Sequence, residues 1–436
     1  MHQQSQQAVE KSLEFGPYRL SPDGTLQVPK GKVVNLTRRL ARLLSELAMA
    51  DGAAISRIDL LDRCWGDRSV NDESLSRAIS DLRKVFRQAG TDPIQSVYGL
   101  GYRLSVKDAV PDIDATARRA ASFCREAWHR LYQRRAASLE SADHLFDLAA
   151  KDSPNDMQPW LGLAETQIHR MQLGYAPTIE AWPRARAALD RALTIDPSSA
   201  DALALLGLGL TWIEWNFAEA RENLNQALQT DPDGYIPNQA LGWHNLSLGR
   251  LDPALKQFRR AIEIDPAAMP ARGVLAVTLM YRGESENALS SARELLRLDP
   301  GGGVSQGYAS IIEATHGDPR SAVESGKRSL EQLPESPVVG SFLAYAMARA
   351  QQQGEARALL ESLAKKNSEG SVSAMACPAW LELGNRERAL AALEAAAAMR
   401  CPWLPMILHD PRIDSLRTEP LFKAIFKEIF GRLPQK

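Results

Sequence analysis

The feature that most constrains this 436-residue chain is the period of its prolines. Asp-Pro stands at 196–197, 231–232, 265–266 and 299–300 and Leu-Pro at 333–334, so successive prolines lie 35, 34, 34 and 34 residues apart. The stretch before each reads as a helix with small or apolar residues at fixed offsets. Examples are Ala254, Phe258 and Ala261 before Pro266, Ala288, Ala292 and Leu295 before Pro300, and Ala142, Phe146 and Ala149 before Pro154. Proline lacks an amide hydrogen and clashes with the preceding turn, so it ends a helix. Small residues at fixed places let two helices cross closely. A unit this short cannot bury its apolar face alone, so the period predicts stacked helical hairpins wound into a superhelix with a long concave surface.

Leu-Gly or Leu-Ala stands in a first helix, as at Leu241-Gly242 and Leu275-Ala276, and with the 34-residue period this resembles the tetratricopeptide repeat. About eight repeats are expected from Phe123 to Arg400, the second lengthened by GYAPTIEAW, within an array over 118–400. The remaining segment, 401–436, contains LHDPRIDSLRTEPLFKAIFKEIF and is expected to cap the array.

The first hundred residues read differently. From Leu13 to Leu36, short alternating segments are punctuated by Gly-Pro, Pro-Asp-Gly and Lys-Gly, the marks of strands and tight turns. A helix follows with Leu40, Leu43, Leu44 and Leu47 on one face, Thr37 as its N-cap and Gly52 as its stop. A second opens at Ser56, whose hydroxyl can cap it with Asp59, and ends near Trp65-Gly66. The third, LSRAISDLRKVF, spaces Leu75, Ala78, Ile79, Leu82, Val85 and Phe86 as one buried stripe and turns Arg77, Ser80, Asp81 and Lys84 outward, with Arg83 on the flank. IQSVYGLGYRLSV then shows strand-turn-strand chemistry around Gly99 and Gly101.

Strands, three helices and a terminal hairpin are the plan of a winged helix-turn-helix. The segment 13–106 resembles the OmpR/PhoB-type DNA-binding domain, chiefly in LLDRCWG, SLSRAISDLRKVF and SVYGLGYRLSV. The fold expected for the whole is therefore mainly α: an N-terminal α+β winged helix, then an α-solenoid of tetratricopeptide hairpins. Residues 1–12 are expected to be a disordered N-terminus and 107–117 a linker. The combination resembles HilA-type bacterial regulators and, more loosely, the CadC/ToxR group.

That resemblance implies that the third helix lies in the major groove of double-stranded DNA and the hairpin wing near the minor groove. By position, Arg77, Ser80 and Asp81 would face base edges, and Arg57, Trp65, Ser74, Arg83, Lys84 and Tyr102 would meet phosphates, with Tyr98 at the wing tip. The chemistry suits this division. Arginine can bond guanine O6 and N7 together and aspartate can accept from cytosine N4, whereas a cation beside the groove neutralises phosphate without reading sequence. The alternative for Arg77 and Asp81 is a surface ion pair at i, i+4. Relatives occupy tandem half-sites, which implies two copies per operator, and RNA polymerase is a further partner the resemblance implies.

In tetratricopeptide stacks the groove is lined by the first helix of each repeat. Here those positions give Leu161, Trp243, Leu246, Val277, Met280 and Tyr345, an apolar and aromatic set expected to receive an apolar or amphipathic protein segment or a hydrophobic small molecule, or else to pack against the neighbouring repeat.

Charge points weakly the same way. Residues 1–106 hold 15 basic and 12 acidic side chains and the rest 37 and 41, a balance of +3 against −4. The cysteines at 64, 124, 377 and 401 and the seven histidines show no metal-ligand or catalytic spacing, so no cofactor, metal site or enzymatic activity is expected. The N-terminal residues lack the apolar core of a signal peptide, and runs such as SPVVGSFLAYAMA fall short of the roughly 17–25 residues that span a bilayer, so a soluble cytoplasmic protein is expected. With about a dozen residues before the first strand, control by a fused phosphorylatable receiver is not expected. The function these features imply is a one-component, sequence-specific transcriptional regulator whose array binds a protein or small-molecule signal. The competing reading is a scaffold whose winged helix docks protein rather than DNA.

Overall fold

The computed structural model describes residues 12–28, 33–65, 72–88, 91–97, 100–105, 115–366 and 374–434. They fall into two compact units divided between Ile113 and Asp114. The expected disordered N-terminus, up to residue 11, lies outside the described residues. So does most of the expected linker, and its last three residues are already helical.

The first unit opens with an antiparallel sheet of β1 (Leu13–Phe15), β2 (Tyr18–Leu20), β3 (Thr25–Gln27) and β4 (Val33–Asn35), in sequence order. Helix α1 (Arg38–Met49) follows, and the Thr37 hydroxyl accepts the Leu40 amide at its N-terminus. Strand β5 (Ile55–Ser56) leads directly into α2 (Arg57–Trp65). There the Ser56 hydroxyl accepts the Asp59 amide at 3.0 Å and donates to the Asp59 carboxylate at 2.8 Å, a reciprocal cap. Helix α3 (Asp72–Gln88) buries Leu75, Ala78, Ile79, Leu82 and Phe86 against Leu43, Leu44, Leu47 and Leu60. Strands β6 (Ile94–Val97) and β7 (Gly101–Leu104) form a hairpin, and β5 completes a three-stranded sheet in the order β5-β7-β6. Gly101 permits this: a Cβ there would lie 2.1 Å from the Ile55 carbonyl oxygen across the ladder.

The second unit is helical, with eight hairpins among the described residues. These are α4 (Ala115–Tyr132) with α5 (Ala136–Asp152), α6 (Met157–Gln172) with α7 (Thr178–Ile195), and α8 (Ala200–Gly209) with α9 (Phe217–Thr230). Next come α10 (Tyr235–Ser247) with α11 (Leu251–Ile264), α12 (Met269–Tyr281) with α13 (Ser285–Leu298), and α14 (Gly303–His316) with α15 (Pro319–Gln332). The last are α16 (Pro337–Arg349) with α17 (Gln353–Lys366) and α18 (Ala376–Glu382) with α19 (Arg386–Ala398). Helices α7, α9, α11, α13 and α15 each stop two residues before a periodic proline. Of the small and apolar residues at fixed offsets, Ala142, Phe146, Ala149, Ala254, Phe258, Ala261, Ala288, Ala292 and Leu295 are all fully buried.

Two features go beyond a simple stack. Early and late hairpins of the array touch one another. Arg135 donates to the Gln332 side chain at 2.7 Å, the Ser336 hydroxyl donates to the Leu173 carbonyl at 2.8 Å, and Gly174, in the left-handed region at φ +74°, lies against the Pro337 ring. The second feature is the C-terminal segment, comprising α20 (Leu404–Ile407), a 3-10 turn at Pro411–Leu416 and α21 (Pro420–Phe430). It was expected to cap the last repeat. Helix α21 does pack on α19, but the segment also crosses the concave face, because its aromatic and apolar side chains find their partners on earlier hairpins.

Candidate nucleic-acid interface and the concave face of the array

Two arginines fix α3 to the wing. Arg57 at the start of α2 donates to the Tyr102 hydroxyl and to the Ser76 hydroxyl, each at 2.7 Å, joining α2, β7 and α3. Its guanidinium also lies 5.2 Å from the Tyr102 ring centroid. Arg83, two turns on from Ser76 along the same flank of α3, donates to the Ile94 carbonyl at 3.0 Å and the Ser96 hydroxyl at 3.1 Å, with the Asp92 carboxylate 3.6 Å away. Only 11% of its side chain is exposed, and burial lowers its proton affinity against the opposing pull of Asp92. On the wing, Arg103 donates to Gln95 at 2.8 Å across the β6–β7 ladder.

These ties correct part of the expected phosphate set. Arg83 is turned inward as a strut between helix and hairpin, since a backbone carbonyl and a hydroxyl already take its donors. Tyr102 is only 5% exposed and belongs to the domain core, its hydroxyl engaged by Arg57. The Trp65 indole is half-buried with the Arg39 guanidinium 5.6 Å from its ring, and its shielded N–H has no partner among the described residues. Ser74 is half-buried, and Tyr98 lies outside the described residues.

The outward face of α3 remains. Arg77, Ser80 and Lys84 are exposed at spacings of three and four residues, on one side of the helix. The Arg77–Asp81 pair does not form; Lys84 reaches Asp81 instead, at 2.8 Å. Arg77 has no partner among the described residues. A rigid helix therefore presents a cation with unused donors beside a hydroxyl and an ion pair. Sequence reasoning missed Ser76, Asp92 and Gln95, which orient the arginines, because no local spacing marks such contacts. Neighbouring Cys64 is a core thiol that burial pushes up to about 12.

The concave face of the array contrasts with this. Leu161, Trp243, Leu246, Val277, Met280 and Tyr345, the expected groove lining, are all buried. Trp243 meets Trp212, Phe258 and Trp403 edge-on at 5.4, 5.9 and 5.6 Å, and Trp403 comes from the C-terminal segment. The Trp403 indole N–H donates to the Gln172 carbonyl at 2.6 Å. Arg400 stacks 3.7 Å from the Trp215 ring and donates to the Ile213 carbonyl. The fully buried Asp410 accepts from Tyr281 at 2.9 Å and pairs with Arg412, which in turn lies over the Tyr345 ring. The open apolar groove expected from sequence is thus filled, and the remaining space beside Val277, Trp403 and Met406 has room for about one water. Nearer the start of the array, Arg134 contacts His169, which lies 3.4 Å from Glu165.

Among the described residues no group of three or more His, Cys, Asp or Glu is placed to hold a metal ion. No helix among them is long and apolar enough to cross a membrane.

Residues 31–104 match the family described as "Transcriptional regulatory protein, C terminal", and residues 216–268 match the tetratricopeptide repeat. The chain is 36% identical over 96 residues to the transcriptional regulator HilA of Salmonella typhimurium, covering 22% of this chain and 17% of that protein. It is 30% identical over 95 residues to the sensory transduction protein RegX3 of Mycolicibacterium smegmatis, covering 21% and 42%. The chain therefore spans about a sixth of the first relative's length and under half of the second's. Among solved structures, the APC/C hetero-tetramer Cut9-Hcn1 shares the fold with a TM-score of 0.52 at 12% identity, over 90% of this chain and 64% of that one. The chain carries a DNA-binding domain of the OmpR/PhoB-type transcriptional regulatory family, followed by tetratricopeptide repeats.

Proposed function

We propose that this protein is a sequence-specific DNA-binding transcription regulator in which α3 enters the major groove and the array carries the input from a protein partner. The observation that carries the reading is the outward face of α3: Arg77 exposed and unpartnered among the described residues, Ser80 beside it, and the helix held to the wing by Arg57 and Arg83. Direct readout needs that combination, because a base contact gains specificity only when its donor is pre-positioned and not already engaged within the protein. Arg77 is suited to guanine, Asp81 to cytosine once Lys84 turns to phosphate, and Lys84 to the backbone. A single winged domain buries limited surface, so two copies on tandem half-sites complete an operator.

Recovery of chromatin fragments bound to the full chain, followed by gel shifts of the recurrent sequence across a salt series, tests this. The expected result is a recurrent motif whose affinity falls steeply with salt. Fragments without any recurrent sequence, or binding indifferent to salt, overturn it.

A further inference from the structure

The concave face and the segment that covers it are two separate pieces of the same chain. Up to Ala398 every hairpin follows the repeat; from Arg400, which adopts the left-handed conformation at φ +51°, the chain leaves it. The segment then touches hairpins far from its own end: Gln172 through Trp403, Ile213 and Trp215 through Arg400, Trp243 again through Trp403, Tyr281 through Asp410 and Tyr345 through Arg412. At the far end of the crossing, Phe430 stacks on Phe217 at 5.4 Å.

This is the contact pattern of a bound peptide: a tryptophan anchor, an arginine clamped on an aromatic face and an ion pair whose carboxylate is fully buried. The seam also carries the ion pair of Asp410 with Arg412. A buried ion pair fixes register more than it stabilises, because desolvation offsets most of its attraction. The His409 Nε2 in the segment is buried without a partner among the described residues, as are those of His244 and His316 in the hairpins, and the space beside Trp403 has room for about one water.

We propose that residues 400–430 are a resident ligand of the array, and that the concave face is a binding channel for a partner protein's segment of the same chemistry, which must displace the resident one. The matching occupant is an apolar, helix-forming stretch with a tryptophan, followed by an aspartate and an arginine that can pair in the channel. Tyr281 and Tyr345 select it by receiving that pair, and Trp243 by receiving the indole. Occupation in cis keeps an apolar surface covered until the partner arrives, so the partner's affinity is reduced by the closed fraction. The proposal rests on the array being the input module of a regulator, but its test uses no DNA, so its failure and the failure of the DNA-binding reading are distinguishable.

Two measurements on the full chain decide. In native-state hydrogen exchange, amides of 400–430 are expected to exchange at least about tenfold faster than those of α10, α12 and α14, through an opening that leaves the array folded. Exchange of both sets at one common rate shows a permanent core element and overturns the proposal. In the second, a fluorescent peptide of residues 400–430 is titrated against the wild-type chain and against Trp403→Ala/Arg412→Ala, in which the resident segment is loosened. Saturable binding at least about tenfold tighter to the variant is expected, since the channel no longer has a tight occupant. Absence of binding to a variant that retains its helical signal overturns the proposal. Should the variant fail to fold, the exchange experiment on the wild-type chain decides alone.

Discussion

The outward face of α3 and the concave face of the array both read, in sequence, as surfaces prepared for a partner, and they end in opposite states. Arg77, Ser80 and Lys84 meet solvent, whereas Trp243, Val277 and Tyr345 are buried under the chain's own C-terminal segment. Polar side chains on an amphipathic helix stay exposed by default, since burying an unpaired cation is costly. Apolar side chains on a concave face are covered by whatever apolar segment is at hand. A sequence pattern can therefore identify a polar recognition surface, while an apolar one stays undecided until every segment of the chain has been placed.

The largest effect that tests this contrast is on the buried side. Trp243→Ala should destabilise the array by about 3–5 kcal/mol in chemical denaturation, because it leaves a cavity among Trp212, Phe258 and Trp403. A loss below about 1 kcal/mol would mean that the concave face is open in solution.

Acid acts on the same region. Burial holds His244 and His409 down to about 4, with Arg250 and Arg221 near the first and Arg417 and Arg432 near the second. Unfolded histidine titrates near 6.5, so the unfolded chain takes up protons that the folded one refuses as pH falls from about 6.5 to 4. The stabilisation is complete above that window and lost through it, about 3 kcal/mol for His244, which is 1% exposed, and less for half-buried His409. Urea titrations of the array at pH 7 and pH 4.5 check the sign; equal midpoints would refute it.

Two arginines six residues apart in sequence sharpen the comparison within α3. Arg77→Ala should weaken binding to the cognate site by about 1–3 kcal/mol and leave the melting temperature nearly unchanged. Arg83→Ala should do the reverse, costing about 1–2 kcal/mol of domain stability as the bonds to Ile94 and Ser96 are lost. Matching losses of specificity in both variants would contradict the inward placement of Arg83. The smallest change is expected from Lys84→Ala: a salt slope flatter by about one unit for every DNA sequence alike. A loss confined to the cognate site would move Lys84 among the base-reading residues.

Much of the fold was legible because its signals are local. Thr37, Ser56 and Asp59 cap helices within three residues of themselves, and the stripe from Leu75 to Phe86 declares its buried face by spacing alone. The array is legible because one proline period repeats. What escaped is non-local. The spacing of α3 puts Arg83 on the flank, but its turn toward the Ile94 carbonyl depends on where β6 returns. The C-terminal segment has helix-forming residues but no repeat spacing, and its Trp403 meets a carbonyl 231 residues away.

The seam where Ser336 reaches Leu173 and Pro337 rests on Gly174 has a consequence for how this array can change over generations. Open repeat proteins diversify by gaining or losing whole units, since each unit touches only its neighbours. Here a duplicated or deleted 34-residue unit would carry one side of the seam past the other and strip the C-terminal segment of partners spread over several hairpins. The number of hairpins is thereby locked, leaving substitution within hairpins, rather than change in their count, as the route by which this lineage can acquire a new partner.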